Sequence, residues 1–275
     1  RARVTPPRRA GTYGRAVETG TDTSTTDRAA AARAGPRRDE LARRLTAVRA
    51  RIAAACVAAG RDPGEVELMA VTKFVPAADV ATLLDLGITL LGENRPQEAT
   101  RKVAEVATLR PAARPRWHLV GGLQRNKARL VAPWAARVES VDSIRLADAL
   151  DAAVARSVAE GRRAGPLSVL LQLSVDGDPA RGGVPVSGMD ELADHAAACG
   201  ALRLDGLMAV APLGADPDAA FATVSDAAAR LRAAHPRATV LSAGMSGDLE
   251  VAIGHGSQVV RVGTALVGDR PIASP

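Results

Sequence analysis

Two hydrophobic rhythms alternate along the chain. Short apolar runs at Leu68–Thr72, Ile88–Leu91, Trp117–Gly121, Arg137–Val141, Leu167–Leu173, Leu204–Val210, Thr239–Leu241 and Gln258–Val262 read as buried strands. Between them, apolar residues recur at helical spacing near 76–86, 95–107, 123–132, 143–161, 187–199, 217–234 and 247–255. Another helix precedes the first strand: Leu41, Leu45, Val48, Ile52 and Cys56 fall on one face, and Gly60 supplies the stop. Strands that alternate with helices build parallel βαβ units. Eight of them match the number that closes a (β/α)8 TIM barrel. The competing architecture, an open doubly wound sheet, opens with a Gly-rich dinucleotide turn, and none follows Thr72. The expectation is a single barrel domain over 39–275, with no internal linker or repeat.

Composition changes this picture at one end only. Hydrophobic residues make up 47% of the 275-residue chain and aromatics 2%, so the core is built from Ala, Val, Leu and Ile. The net charge is +6, yet residues 1–38 hold nine arginines against three acids, which accounts for the whole excess. The remainder is neutral and offers no basic field for nucleic acid. Residues 1–38 lack apolar periodicity and are rich in Thr, Gly, Pro, Ala and Arg, so a disordered basic tail is expected there. The apolar runs are far shorter than the roughly 20 residues of a membrane span, and no charged-then-apolar leader opens the chain. Cys56 and Cys199 lie in Ala-rich helical patterns and read as small buried hydrophobes. Two such residues make neither a disulfide framework nor a metal set, which fits a reducing cytoplasm.

The chemistry gathers where strands end, the face on which barrels of this kind carry their active sites. The stretch "ELMAVTKFVP" ends a buried strand on Lys73. A lysine there is paired, exposed or chemically used, because burying an ammonium is costly. Desolvation favours the neutral amine, the form that makes Schiff bases. After strand seven comes "SAGMSGD", with Ser242, Gly244 and Ser246, and after strand eight "RVGTALVG", with Arg261, Gly263 and Thr264. Both loops carry small residues that let a ligand approach the backbone; the first opens a helix whose free N–H groups attract an anion, and Gly263-Thr264 supplies more N–H groups and a hydroxyl. They read either as plain caps and turns or as the phosphate site that loops seven and eight form in such barrels. A reactive lysine opposite a phosphate cradle suggests pyridoxal phosphate (PLP), an aldehyde with a phosphate handle. Arg261, always protonated, would then donate to the pyridine nitrogen and weaken the ring as an electron sink.

The motifs "AVTK", "GENRPQEA", "WHLVGGLQRNK", "GLMAVAP" and "LSAGMSGDLEVAIGHGSQVVRVGTALVG" run in order from about Asp39 to Arg270. Together they resemble the pyridoxal phosphate homeostasis family (YggS-type proteins). The resemblance implies a fold-type III barrel like the N-terminal domain of alanine racemase. It implies Lys73 as the lysine holding PLP in an internal aldimine and Arg261 as the residue facing the pyridine nitrogen. It places Ser242, Ser246, Gly263 and Thr264 at the phosphate and Asn94 near the ring. The implied role is cytoplasmic PLP (vitamin B6) homeostasis and delivery, with apo-PLP enzymes as partners and a monomer as the expected state. The chain departs from the family pattern at Arg95, Gly122, Ser174 and Ala243, which puts the packing around the ring in question.

The alternative is a fold-type III PLP enzyme, an amino-acid racemase or lyase. Racemisation needs a proton donor on each face of the substrate carbanion. In the alanine racemase pattern the second donor is a tyrosine, and the single tyrosine here is Tyr13, in the tail. His118 is the available substitute, set against a second reading as a core or supporting histidine. A carrier without turnover is therefore the expected function.

Overall fold

The computed structural model describes residues 23–178, 181–212 and 214–268. Strands β1 (Glu67–Val71), β2 (Leu90–Glu93), β3 (Arg116–Leu119), β4 (Arg137–Val141), β5 (Leu167–Ser174), β6 (Val184–Pro185), β7 (Leu202–Ala209), β8 (Val240–Ser242) and β9 (Val259–Val262) form one parallel sheet. Its order is β4-β3-β2-β1-β9-β8-β7-β5-β6, and β4 also pairs with β5, so eight strands close into a barrel. The two-residue β6 lies outside the ring, paired to the last residues of β5. It escapes a reading by periodicity because two residues carry no period.

The described α-helices are α1 (Thr23–Ala58), α2 (Ala77–Asp85), α3 (Pro96–Leu109), α4 (Ala128–Val131), α5 (Ile144–Ala159), α6 (Met189–Ala198), α7 (Pro217–Ala234), α8 (Leu249–Gly254) and α9 (Thr264–Val267). The eight expected strands all form, with ends shifted by a residue or two. The expected tail differs in part. The backbone is helical from Thr23, so residues 23–38 lie in α1, in keeping with the high helix propensity of the alanines at 29–32. By its contacts the barrel unit begins at Arg37. Arg37 bonds Asp79 at 2.9 Å and the Val267 carbonyl at 2.8 Å, which ties it to α2 and α9. Residues 1–22 lie outside the described residues. Among the described residues, no helix is long and apolar enough to cross a membrane.

Two apolar layers wrap the barrel. One packs α1, α2, α8 and α9 residues such as Leu41, Val80, Ile253 and Leu266 on β1 and β9, and the other packs α4 to α7 on β4, β5 and β7. A separate small cluster joins Met69, Leu90 and Val259 from three strands. Towards the strand starts, Arg137 bonds Ser168 and Asp205 at 2.7 and 3.2 Å. The third layer, near the strand ends, is polar. The register of β5 against β7 shifts between Val169 and Leu170. Gly206 sits opposite this shift at φ +152°, and a Cβ there would lie 1.8 Å from the Val240 carbonyl oxygen, so glycine is required.

Candidate functional site

The polar layer is built from four strands. Arg261 of β9 is 4% exposed. It donates from one guanidinium nitrogen to the Ser242 carbonyl and hydroxyl (2.7 and 3.0 Å), and from the other to the Ala209 carbonyl (2.7 Å). Ser242 donates in turn to Glu139 at 2.6 Å, and the other Glu139 oxygen lies 2.7 Å from Nδ1 of His118. Burial alone would raise the Glu139 carboxyl. The His118 hydrogen bond and charge, the Arg261 charge and the Ser242 hydroxyl outweigh it and hold the carboxyl below the ordinary glutamate value. Burial lowers Arg261, against the opposing charges of Glu139 and Asp248. The chain Arg261–Ser242–Glu139–His118 thus fixes each side chain by the next.

Lys73 follows this layer at the end of β1 and is exposed. It shares a cavity of about 340 Å³ with Val71, Asp79, Gly263, Thr264 and Gly268. What fixes it is the backbone on either side. Thr72 is buried and donates to Glu93 at 2.6 Å. Lys102 of α3, itself buried, donates to the Thr72 carbonyl (2.6 Å), to Glu93 (2.8 Å) and to Glu98 (3.1 Å). Glu98 also accepts the Phe74 N–H at 2.7 Å. Phe74 stands at φ +64°, a conformation that costs free energy for a residue with a Cβ. The guanidinium of Arg95 lies 5.0 Å from its ring centroid. Two residues one turn apart on α3 therefore grip the chain before and after Lys73.

Burial pushes the Glu93 carboxyl up, and the Lys102 and Thr72 hydrogen bonds pull it part of the way back. Replacing Glu98 by alanine removes a charge-assisted acceptor from Phe74 and one carboxylate from Lys102. A loss of about 1–2 kcal/mol is expected, at the lower end for such bonds because Glu98 is only part-buried. Urea unfolding checks this; a change under about 0.5 kcal/mol would place the restraint on Phe74 elsewhere.

The remaining expected residues fall into two groups. Gly244 accepts the Arg261 N–H at 2.9 Å, at φ +89°, and a Cβ there would lie 2.6 Å from the Ala252 Cβ. Ser246 begins the turn into α8, and its carbonyl accepts Arg51 at 3.0 Å. Gly263 and Thr264 begin α9, whose Leu266 and Val267 N–H groups bond back to the Gly263 carbonyl. Among the described residues, none accepts the N–H of Ser246, Gly263 or Thr264. Asn94, half-buried past β2, packs its backbone so closely on Gly121 that a Cβ there would lie 2.4 Å from its carbonyl oxygen. No hydrogen bond joins Asn94 to the other expected residues among those described. The sequence reading missed Glu139, Glu93, Glu98 and Lys102. The signal for Glu139 was a carboxylate inside an otherwise apolar strand, "RVESV"; for Glu98 and Lys102 it was their four-residue spacing.

Residues 44–271 match the alanine racemase N-terminal domain family. A pyridoxal phosphate homeostasis protein of Mycobacterium leprae is 48% identical over 249 residues, covering 88% of this chain and 97% of that protein. This chain belongs to the pyridoxal phosphate homeostasis family. The Escherichia coli K12 member is 35% identical and matches 84% of this chain and 97% of its own length. Among solved structures, PipY of Synechococcus elongatus with PLP bound superposes with a TM-score of 0.67 at 33% identity, covering 83% of this chain and all of PipY. Alanine racemase of Corynebacterium glutamicum, at 17% identity and a TM-score of 0.61 over 86% of this chain and 62% of its own, shares the fold.

Proposed function

We propose that this protein binds PLP at the strand-end face of the barrel, anchors it covalently on Lys73, and serves in intracellular PLP homeostasis and delivery. The function resides in the unit from Asp39 on. The observation that carries this reading is the single cavity shared by Lys73, Gly263 and Thr264. An accessible amine and unclaimed backbone N–H donors are what an aldehyde with a phosphate handle needs, so the residues fit the group. Ser242, Gly244, Ser246, Gly263 and Thr264 would hold the phosphate, Asn94 would lie on the ring side, and Arg261 would serve the pyridine nitrogen. When bound, the cofactor supplies a carbonyl that takes up primary amines.

The chain's own residues favour holding over turnover. His118 is 3% exposed and engaged with Glu139, so it stands as a support for the polar layer and presents no free base at the mouth. Lys73 is open to solvent, which suits release of the cofactor to apo-PLP enzymes. The test is to incubate the purified full chain with PLP, remove the excess, record the visible spectrum and reduce with borohydride. The expected result is a visible band, bleached on reduction, with the added mass on the peptide that contains Lys73. A chain that stays colourless, or mass on another lysine, would overturn the reading.

A further inference from the structure

Away from the barrel mouth, α5 and α6 bring three different donor types together. Asp148 lies on α5, His195 on the last turn of α6, and Cys199 caps α6. His195 and Cys199 are four residues apart, one helical turn, so they share a face. An Asp148 oxygen, a His195 ring nitrogen and the Cys199 sulfur all lie within 4.8 Å of one another, with His195 Nε2 at 2.7 Å from Asp148 Oδ1. Asp151, one turn along α5, accepts the Ala201 N–H at 2.7 Å. That bond ties the chain just beyond Cys199 to the helix that carries Asp148.

Asp148 and Asp151 place two carboxylates beside the cluster, a negative charge that a dication offsets. Mixed nitrogen, sulfur and oxygen donors suit tetrahedral zinc-class ions, whereas calcium and magnesium take oxygen sets. Ligand atoms about 2.0–2.3 Å from such an ion lie within about 4 Å of one another. Asp148 is exposed and His195 and Cys199 are part-exposed, so side-chain rotation would have to close the remaining gap.

We propose that Asp148, His195 and Cys199 form a surface site for a zinc-class divalent metal ion, with water as fourth ligand. Binding exchanges the hydrogen bond from His195 Nε2–H to Asp148 for one bond from each residue to the metal, with the ring proton moved from Nε2 to Nδ1. The Cys199 S–H ionises, its proton goes to solvent, and no electrons are transferred. The competing role for the three residues is a polar contact between helices.

Competition of the full chain against a chromophoric zinc chelator tests the proposal. One Zn(II) per chain is expected, with affinity at least tenfold weaker in Cys199→Ser and in His195→Gln. Co(II) in place of zinc should give tetrahedral visible bands. Zn(II) should also slow alkylation of Cys199 by iodoacetamide in the unaltered chain, where the fully buried Cys56 serves as the unreactive control. This last measurement needs no variant to fold. Absence of stoichiometric zinc, binding unchanged in Cys199→Ser, or a thiol that zinc does not protect would overturn the site.

Discussion

Glu139→Leu is expected to lower the unfolding free energy by about 3–5 kcal/mol, the range for removing one partner from a buried charged set. Glu139 is fully buried and supplies the larger of the two carboxylate charges that oppose Arg261, the other being Asp248. With leucine there, Arg261 keeps its bonds to the Ser242 and Ala209 carbonyls but loses its main counter-charge, and His118 loses its acceptor. Urea midpoints at neutral pH measure the loss. The double variant Glu139→Leu with Arg261→Leu is expected to recover much of it, since no uncompensated charge is then left behind. The acid side gives a second check. The folded carboxyl of Glu139 is held below its ordinary value, so its stabilisation is complete above the unfolded value and is lost as pH falls through the folded one. The unaltered protein therefore loses this contribution on acidification below about pH 4.5, and Glu139→Leu shows a correspondingly flatter acid limb. A loss under about 1 kcal/mol at neutral pH would mean that solvent, rather than Glu139, balances the guanidinium.

Much of the architecture is legible in the sequence because a barrel strand is a local object. A run such as "LSVLLQLS" is apolar on both faces and has one solution, a strand covered on both sides. The strand-end motifs are legible for a related reason: Lys73, Gly263 and Thr264 each lie within two residues of a strand end, so the topology alone brings them to one face. What stays hidden is long-range pairing between side chains. Glu139 and Ser242 are 103 positions apart, and nothing local marks them as bonded. Asp148 and Cys199 meet only because α5 and α6 are neighbours, which explains why two cysteines read as simple hydrophobes while one of them faces a histidine and a carboxylate. The grip of Glu98 and Lys102 on the Lys73 segment was half visible, as a spacing on a helix face, but its target lies 24 to 30 residues upstream. The alanine-rich stretch at 29–32 misled in the other direction. Low periodicity suggested disorder, whereas alanine favours helix without any apolar face to advertise it.

Lys73→Ala is expected to abolish the visible band and borohydride trapping while leaving the fold intact, and the physical reason is where the residue lies. The groups that hold its backbone are the Thr72 carbonyl and the Phe74 N–H, gripped by Lys102 and Glu98, and none of these belongs to the Lys73 side chain. The side chain itself is exposed, so its truncation should change stability by no more than about 0.5 kcal/mol. The donors at Gly263 and Thr264 also remain, so the variant should still bind PLP, now reversibly and without colour, and free phosphate should compete for it. Equilibrium dialysis with PLP, with and without inorganic phosphate, reads this residual binding beside the thermal melt. Full retention of the band would move the anchor to another lysine. Loss of the band together with a large fall in melting temperature would mean that Lys73 is part of the framework. Loss of colour in an unchanged fold, with phosphate-sensitive binding left behind, separates the two halves of the site: an amine that fixes the cofactor and a backbone cradle that recognises it. The proposed carrier role would use that division, since breaking one covalent bond would leave the ligand held only by contacts that dissociate.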